Sequence, residues 1–233
     1  KIRADFKREE ISSKKMLANI SHDIKTPLTV ILGYLEIMRL NHADNEMLKK
    51  VETKANQVMN LINQFFTLAK LESGDTNINL GKVNINEICR ENVLEFYDIL
   101  LQKDFDVDLF IPETAIFVQG EKEALQRILY NLLSNVIRYG SDGKYLGVFL
   151  RQDKGNVYID VVDKGKGIEQ EFASNVFDRL YTMEDSRNRE IQGNGLGLTI
   201  AKNLTKQLEG DLFLNSIPNV KTTFTVKLKK ITY

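Results

Sequence analysis

The sequence predicts an α+β protein, a helical hairpin followed by a mixed α/β domain, on three observations. Across the first third of the chain, apolar side chains recur every three or four positions, as amphipathic helices require. A short polar stretch, Ser73-Gly74-Asp75-Thr76-Asn77, then breaks the pattern. Beyond it, runs of alternating polarity take turns with helical stripes over about 150 residues, a common domain size. The 233 residues and their 42% apolar content are enough for a real core.

The first helix carries Leu17, Ile20, Ile24, Leu28, Ile31, Leu35 and Met38 on one stripe, with Pro27 as its only proline. Asn41-His42-Ala43-Asp44-Asn45 is a turn. The second helix carries Leu48, Val51, Ala55, Val58, Ile62, Phe65 and Ala69, the alternating three and four steps of a coiled-coil seam. Two helices joined by a short turn make an antiparallel hairpin. A lone hairpin leaves part of its stripe wet, so a homodimer pairing two copies into a four-helix bundle is expected.

In the second part, Val107 to Phe110, Gly147 to Arg151 and Val157 to Val162 read as strands, and Phe224 to Leu228 as a closing strand. Glu121 to Tyr139 and Leu196 to Leu208 read as helices. No internal repeat or low-complexity segment interrupts them.

Composition narrows the function. Lys+Arg and Asp+Glu are equal at 32 each, so the chain lacks the basic footprint of a nucleic-acid binder. The single Cys89 excludes an internal disulfide and fits a reducing compartment. No apolar run is long enough to span a bilayer. The chain begins at Lys1 with charged helical sequence under way, so it reads as a piece of a longer protein whose upstream part is missing.

Ser21-His22-Asp23-Ile24-Lys25-Thr26-Pro27-Leu28 places an imidazole beside a carboxylate, off the apolar stripe. Neutral imidazole is a good nucleophile near physiological pH. Asp23 can take the proton on the far ring nitrogen and make His22 more nucleophilic. Thr26, one turn later, can position a water, and Pro27 is expected to kink the helix just past the histidine. Taken alone, the pair reads better as a solvated surface histidine, and the downstream motifs reverse that balance. His42 lies in the turn and is read as structural or exposed.

In the helix Glu121 to Tyr139, the face other than the apolar one carries Arg127, Asn131, Asn135 and Arg138. Mg²⁺ needs few protein ligands once phosphates supply oxygens, so one Asn suffices. Arg138 can hold phosphate oxygens through charge-assisted hydrogen bonds. The same residues also fit an ordinary polar helix face. Asp163 ends a strand and opens Asp163-Lys164-Gly165-Lys166-Gly167, where a carboxylate can accept from an adenine amine and glycines admit the ring. A plain strand-to-loop turn is the alternative there. Gly193, Gly195 and Gly197 precede an apolar helix, offering free N–H groups and a positive helix end to an anion. The charged, polar stretch from Thr182 to Gly193 reads as a mobile lid.

With these motifs in order, the chain resembles the sensor histidine kinases of two-component signalling. Ser21 to Leu28 is similar to that family's H box, Asn131 to Asn135 to its N box, and Asp163 to Gly167 to its first glycine box. Val176 to Tyr181 resembles the F box, and Gly193 to Leu198 the second glycine box. The resemblance implies a dimerisation and phosphotransfer domain over residues 1–72, a linker over 73–82 and a catalytic ATP-binding domain over 83–233. The latter has the α/β sandwich fold shared with gyrase. It implies ATP and Mg²⁺ as cofactors, His22 as phosphoacceptor and Asp23 as its base or orienting group. Asn135 is the implied Mg²⁺ ligand, assisted by Asn131. Arg138 and Tyr139 lie at the nucleotide, Asp163 reads adenine beside Gly165 and Gly167, and Gly193, Gly195, Leu196 and Gly197 approach the phosphates.

A response-regulator aspartate is the implied phosphate recipient, and Thr26 orients water in the reverse, phosphatase step. The full-length protein is expected at the cytoplasmic face of the cell membrane, anchored only through its missing upstream segment. Several residues depart from the family. Arg138 stands for a frequent Lys, Lys164 for an Asn, and Thr182 for the usual F-box Arg, leaving Arg179, Arg187 or Arg189 as the lid cation. Pro218 to Thr223 replaces a late glycine-rich turn. A hydrolase would place a Glu at Asn131, so that reading is weak. A catalytically weak scaffold or phosphatase-dominant member of the family is the remaining alternative.

Overall fold

The chain divides into two compact units, Lys1–Asn77 and Ile78–Tyr233. The computed structural model describes residues 28–40, 46–73, 78–179, 181 and 195–231. His22, Asp23, Thr26, the expected kink at Pro27, the turn at 41–45, Gly193 and the expected lid at 182–193 lie outside the described residues.

In the first unit, residues 28–40 are helical (α1) and α2 runs Glu46–Ser73. Arg39 Nε lies 3.7 Å from Glu52 Oε2, tying α1 to α2. Along the expected seam, Leu35, Leu48 and Ala69 are buried, whereas Val51, Val58 and Phe65 remain 45%, 47% and 38% exposed. Ile31 and Met38 on α1 are also about half exposed, so much of the apolar stripe stays uncovered within one chain.

The second unit follows as β1 (Gly81–Asn84), α3 (Ile85–Glu95), α4 (Tyr97–Gln102), β2 (Asp106–Phe110), β3 (Phe117–Gly120), α5 (Lys122–Tyr139), β4 (Tyr145–Gln152) and β5 (Asn156–Asp163). A 3₁₀ turn at Asn175–Phe177, then α6 (Gly197–Gln207), β6 (Asp211–Ile217) and β7 (Lys221–Lys229) complete it. β1 and β3 pair antiparallel, with Gly81 and Lys82 opposite Gly120 and Gln119. The other strands form one sheet in the order β2-β4-β5-β7-β6, antiparallel except for β2 with β4.

Period-two alternation sets which side chains enter the core. On β5, Val157, Ile159, Val161 and Asp163 are buried in turn. Ile159 sits between Leu150 and Val226, Val161 between Val148 and Phe224, and Asp163 between Leu146 and Thr222. The core-facing row therefore ends in a carboxylate at the rim of the sheet. α5 packs on β5, α6 packs on β6 and β7, and the two helices pack on each other. Leu125, Ile128, Leu129, Leu132 and Val136 on α5 are at most 2% exposed, and each such burial stabilises the fold by about 1.5–3 kcal/mol. The opposite face of the sheet is polar: Asp160 accepts from Arg151 Nε and Thr225 Oγ1, both at 2.6 Å.

Candidate functional site

The core row on α5 turns its neighbouring flank, with Asn131, Asn135 and Arg138, away from the sheet. Asn131 is 6% exposed, and its Nδ2 makes no hydrogen bond among the described residues. Its Oδ1 faces the start of α6, where a Cβ on Gly197 would lie 3.3 Å from it. A side chain there would press on the Asn131 amide, which glycine leaves undisturbed. Asn135 is half-buried, while Arg138 and Tyr139 are exposed.

At the other end of α5 stands Asp163, 8% exposed, whose Oδ1 accepts the Gly165 N–H at 2.9 Å. Burial pushes this carboxyl above the usual carboxylate range, against the opposing pull of that N–H. A Cβ on Gly165 would lie 2.8 Å from both Gly140 Cα and the Tyr139 carbonyl oxygen, and one on Gly140 would lie 2.9 Å from Asp163 Cβ. Gly140 and Gly143, in the turn after α5, thus hold the Asp163 loop and carry no signal in the helical pattern. On the loop's other side, Asn219 N donates to Lys166 O and Ile168 N to Ser216 Oγ, both at 2.8 Å. Gly167 has a φ of +75° and sits against Pro218. Asn219 takes a φ of +58°, a left-handed conformation that Asn tolerates, so this turn forms without the family's glycines.

Gly195, with a φ of +61°, and the buried Leu196 lead into α6, which has no side-chain cap. Among the described residues no side chain caps its first N–H groups, which lie at the positive end of the helix. Thr199 Oγ1 reaches back to the carbonyls of Phe177 and Asp178, fixing the turn that precedes Arg179. No sequence period marks that contact.

The structure thus brings Asn131 to Gly197, Gly165 to the Tyr139 carbonyl and Asp163 to Gly140, by means of one helix and its C-terminal turn. Among the described residues no three His, Cys, Asp or Glu side chains converge to hold a metal ion. A separate cleft of about 420 Å³, lined by Asn92, Glu95, Glu123, Gln126, Arg127 and Tyr130, follows another flank of α5 and includes none of the expected nucleotide residues.

Two family models match: the His Kinase A (phospho-acceptor) domain over residues 12–74, and the histidine kinase-, DNA gyrase B-, and HSP90-like ATPase over residues 120–232. Sensor histidine kinase YcbM of Bacillus subtilis (strain 168) is 48% identical over 237 residues, covering all of this chain and 76% of YcbM. The chain belongs to the sensor histidine kinases. It is a protein histidine kinase, an ATP-binding transferase of two-component signalling. Sensor histidine kinase WalK of the same organism is 27% identical over 222 residues, which cover 92% of this kinase and 36% of WalK. The fold agrees with solved structures. Full-length ShkA in complex with AMPPNP matches at a TM-score of 0.80 and 19% identity, over 94% of this kinase and 46% of ShkA. Acinetobacter baumannii histidine kinase AdeS matches at 0.67 and 21%, over 91% and 98%. No helix among the described residues is long and apolar enough to cross a membrane.

Proposed function

We propose that the kinase holds Mg-ATP between Asp163–Gly167 and Gly195–Gly197, transfers the γ-phosphoryl group to His22, and passes it on to a response-regulator aspartate. The supporting observation is the double role of α5, which sets Asn131 beside Gly197 and, eight residues on, Tyr139 beside Gly165. At 1.5 Å per residue these levels are about 12 Å apart, a span that a purine and its polyphosphate bridge.

Each residue's chemistry fits that occupant. Asp163, oriented by the Gly165 N–H, accepts from the adenine amine, while Gly165 and Gly167 leave the approach clear of side chains. Asn131 Nδ2, a buried donor without a partner among the described residues, suits a phosphate oxygen. The backbone of Gly195, Leu196 and Gly197 and the positive end of α6 suit negative charge, with Gly193 assigned to the same phosphate contact from the sequence. Arg138 and Arg179 supply cations, Tyr139 flanks the nucleotide, and the Asn135 amide oxygen suits Mg²⁺. When bound, Mg²⁺ neutralises charge on the β- and γ-phosphates.

His22 attacks phosphorus in line. An N–P bond forms, the bond to the β-phosphate oxygen breaks, and Asp23 orients the imidazole and takes its far proton. Thr26 orients water in the reverse, phosphatase step. Residues 1–72 form the dimerising phosphotransfer domain, 73–82 the linker and 83–233 the catalytic domain. Two copies pair through the uncovered α1–α2 stripe, and the full-length protein is anchored to the membrane upstream.

Calorimetric titration with ATP tests the site. Binding that needs Asp163 and Asn131 (lost at least about tenfold in Asp163→Ala and Asn131→Ala) supports it. Unchanged affinity in both variants refutes it.

A further inference from the structure

We infer that Thr199 is a positioning residue that fixes the segment before Arg179 on the phosphate-facing end of α6, and so sets the preference for ATP over ADP. The inference rests on the proposed nucleotide site.

Thr199 is 6% exposed and is the third residue of α6. Threonines deeper in a helix return their hydroxyl to the carbonyl four residues back, as Thr205 does to Ala201 at 2.7 Å. Four residues before Thr199 is Gly195, outside the helix, so its hydroxyl is free to serve another segment. It reaches the Phe177 carbonyl at 2.9 Å and the Asp178 carbonyl at 3.1 Å, sharing one proton between two acceptors.

The same segment has apolar anchors that do not depend on this hydroxyl. Val176 is buried, the Phe177 ring meets Phe224 edge-to-face at 6.4 Å, and Lys202 Nζ lies 5.2 Å from the Phe177 ring centroid. Without the hydroxyl the turn therefore stays docked, but its last carbonyls lose their link to the first turn of α6. Arg179 follows directly. A loosened Asp178–Arg179 backbone aims that cation poorly at a terminal phosphate, and the adenine contacts at Asp163 and Gly165 share no partner with Thr199. The loss falls on the γ-phosphate and spares the base.

The test is calorimetric titration of the full chain with Mg-ATP and with Mg-ADP, for wild type, Thr199→Val, Thr199→Ala and Thr199→Ser. The expected result is about tenfold weaker ATP binding in the valine and alanine variants. ADP binding should change less than about threefold, and serine should restore ATP affinity. Alanine keeps the test decisive if the valine methyl disturbs folding. Equal losses for ATP and ADP, or no loss, overturn the inference. A wild-type chain that binds neither nucleotide overturns the site itself, and the inference with it.

Discussion

Gly143 packs backbone against backbone on Lys164: a Cβ there would overlap the Lys164 carbonyl and lie 2.9 Å from the Gly165 nitrogen. The turn after α5 is itself tight, with Gly143 N and Lys144 N both donating to the Gly140 carbonyl. The loop that begins at Asp163 is therefore moulded by this turn. Gly143→Ala must displace backbone, at about 1–3 kcal/mol of stability, and should lower ATP affinity and discrimination against GTP. Gly155→Ala, with nothing within 4 Å, should leave both unchanged. Urea unfolding and nucleotide competition check the pair.

The buried Asp163 carboxyl gives a pH dependence of definite sign. Its folded pKa is raised by burial, so the folded chain holds that proton more tightly than the unfolded chain. Its contribution to stability is fully present below the ordinary carboxylate pKa and is lost as pH rises through the raised value. Asp163→Asn should therefore be more stable than wild type at about pH 7, by a margin that shrinks towards pH 4. An adenine amine favours the charged carboxylate, so wild-type ATP affinity should fall as pH drops. Unfolding and binding measured across that range test both signs.

Cys89 is 1% exposed, and burial pushes its thiol up to about 12, with Arg90 only partly opposing. The thiolate is the reactive form, so Cys89 should resist Ellman's reagent in the native chain at about pH 8 and react fully in denaturant.

The uncovered stripe predicts assembly. Glutamate at both Val51 and Val58, 45% and 47% exposed in one chain, should convert a dimer to a monomer without unfolding the second unit. Light scattering reads the mass.

What the sequence disclosed depended on contact range. α5 and β5 were legible because one element satisfies its own period, the 3.6-residue stripe from Leu125 to Val136 and the alternation from Val157 to Asp163. α3 was hidden because Asn86 and Asn92 interrupt its apolar pattern. The buried Asn86 is satisfied by Pro112 O, Thr114 O and Ile116 N, 26 to 30 residues away. β1 and β3, four residues each, are too short to show a period. β6 places Leu212, Phe213 and Leu214 in succession, which masks alternation. In the candidate site the glycine spacings were legible, whereas Gly143 and Thr199 act on Lys164 and on Phe177, more than twenty residues distant.

The most direct test of the central claim is incubation with γ-radiolabelled Mg-ATP, followed by acid and alkali treatment of the labelled chain. Label that is acid-labile, alkali-stable and absent from His22→Gln is the predicted result. Label that survives His22→Gln, or no label from a chain that binds ATP, would contradict phosphoryl transfer to His22.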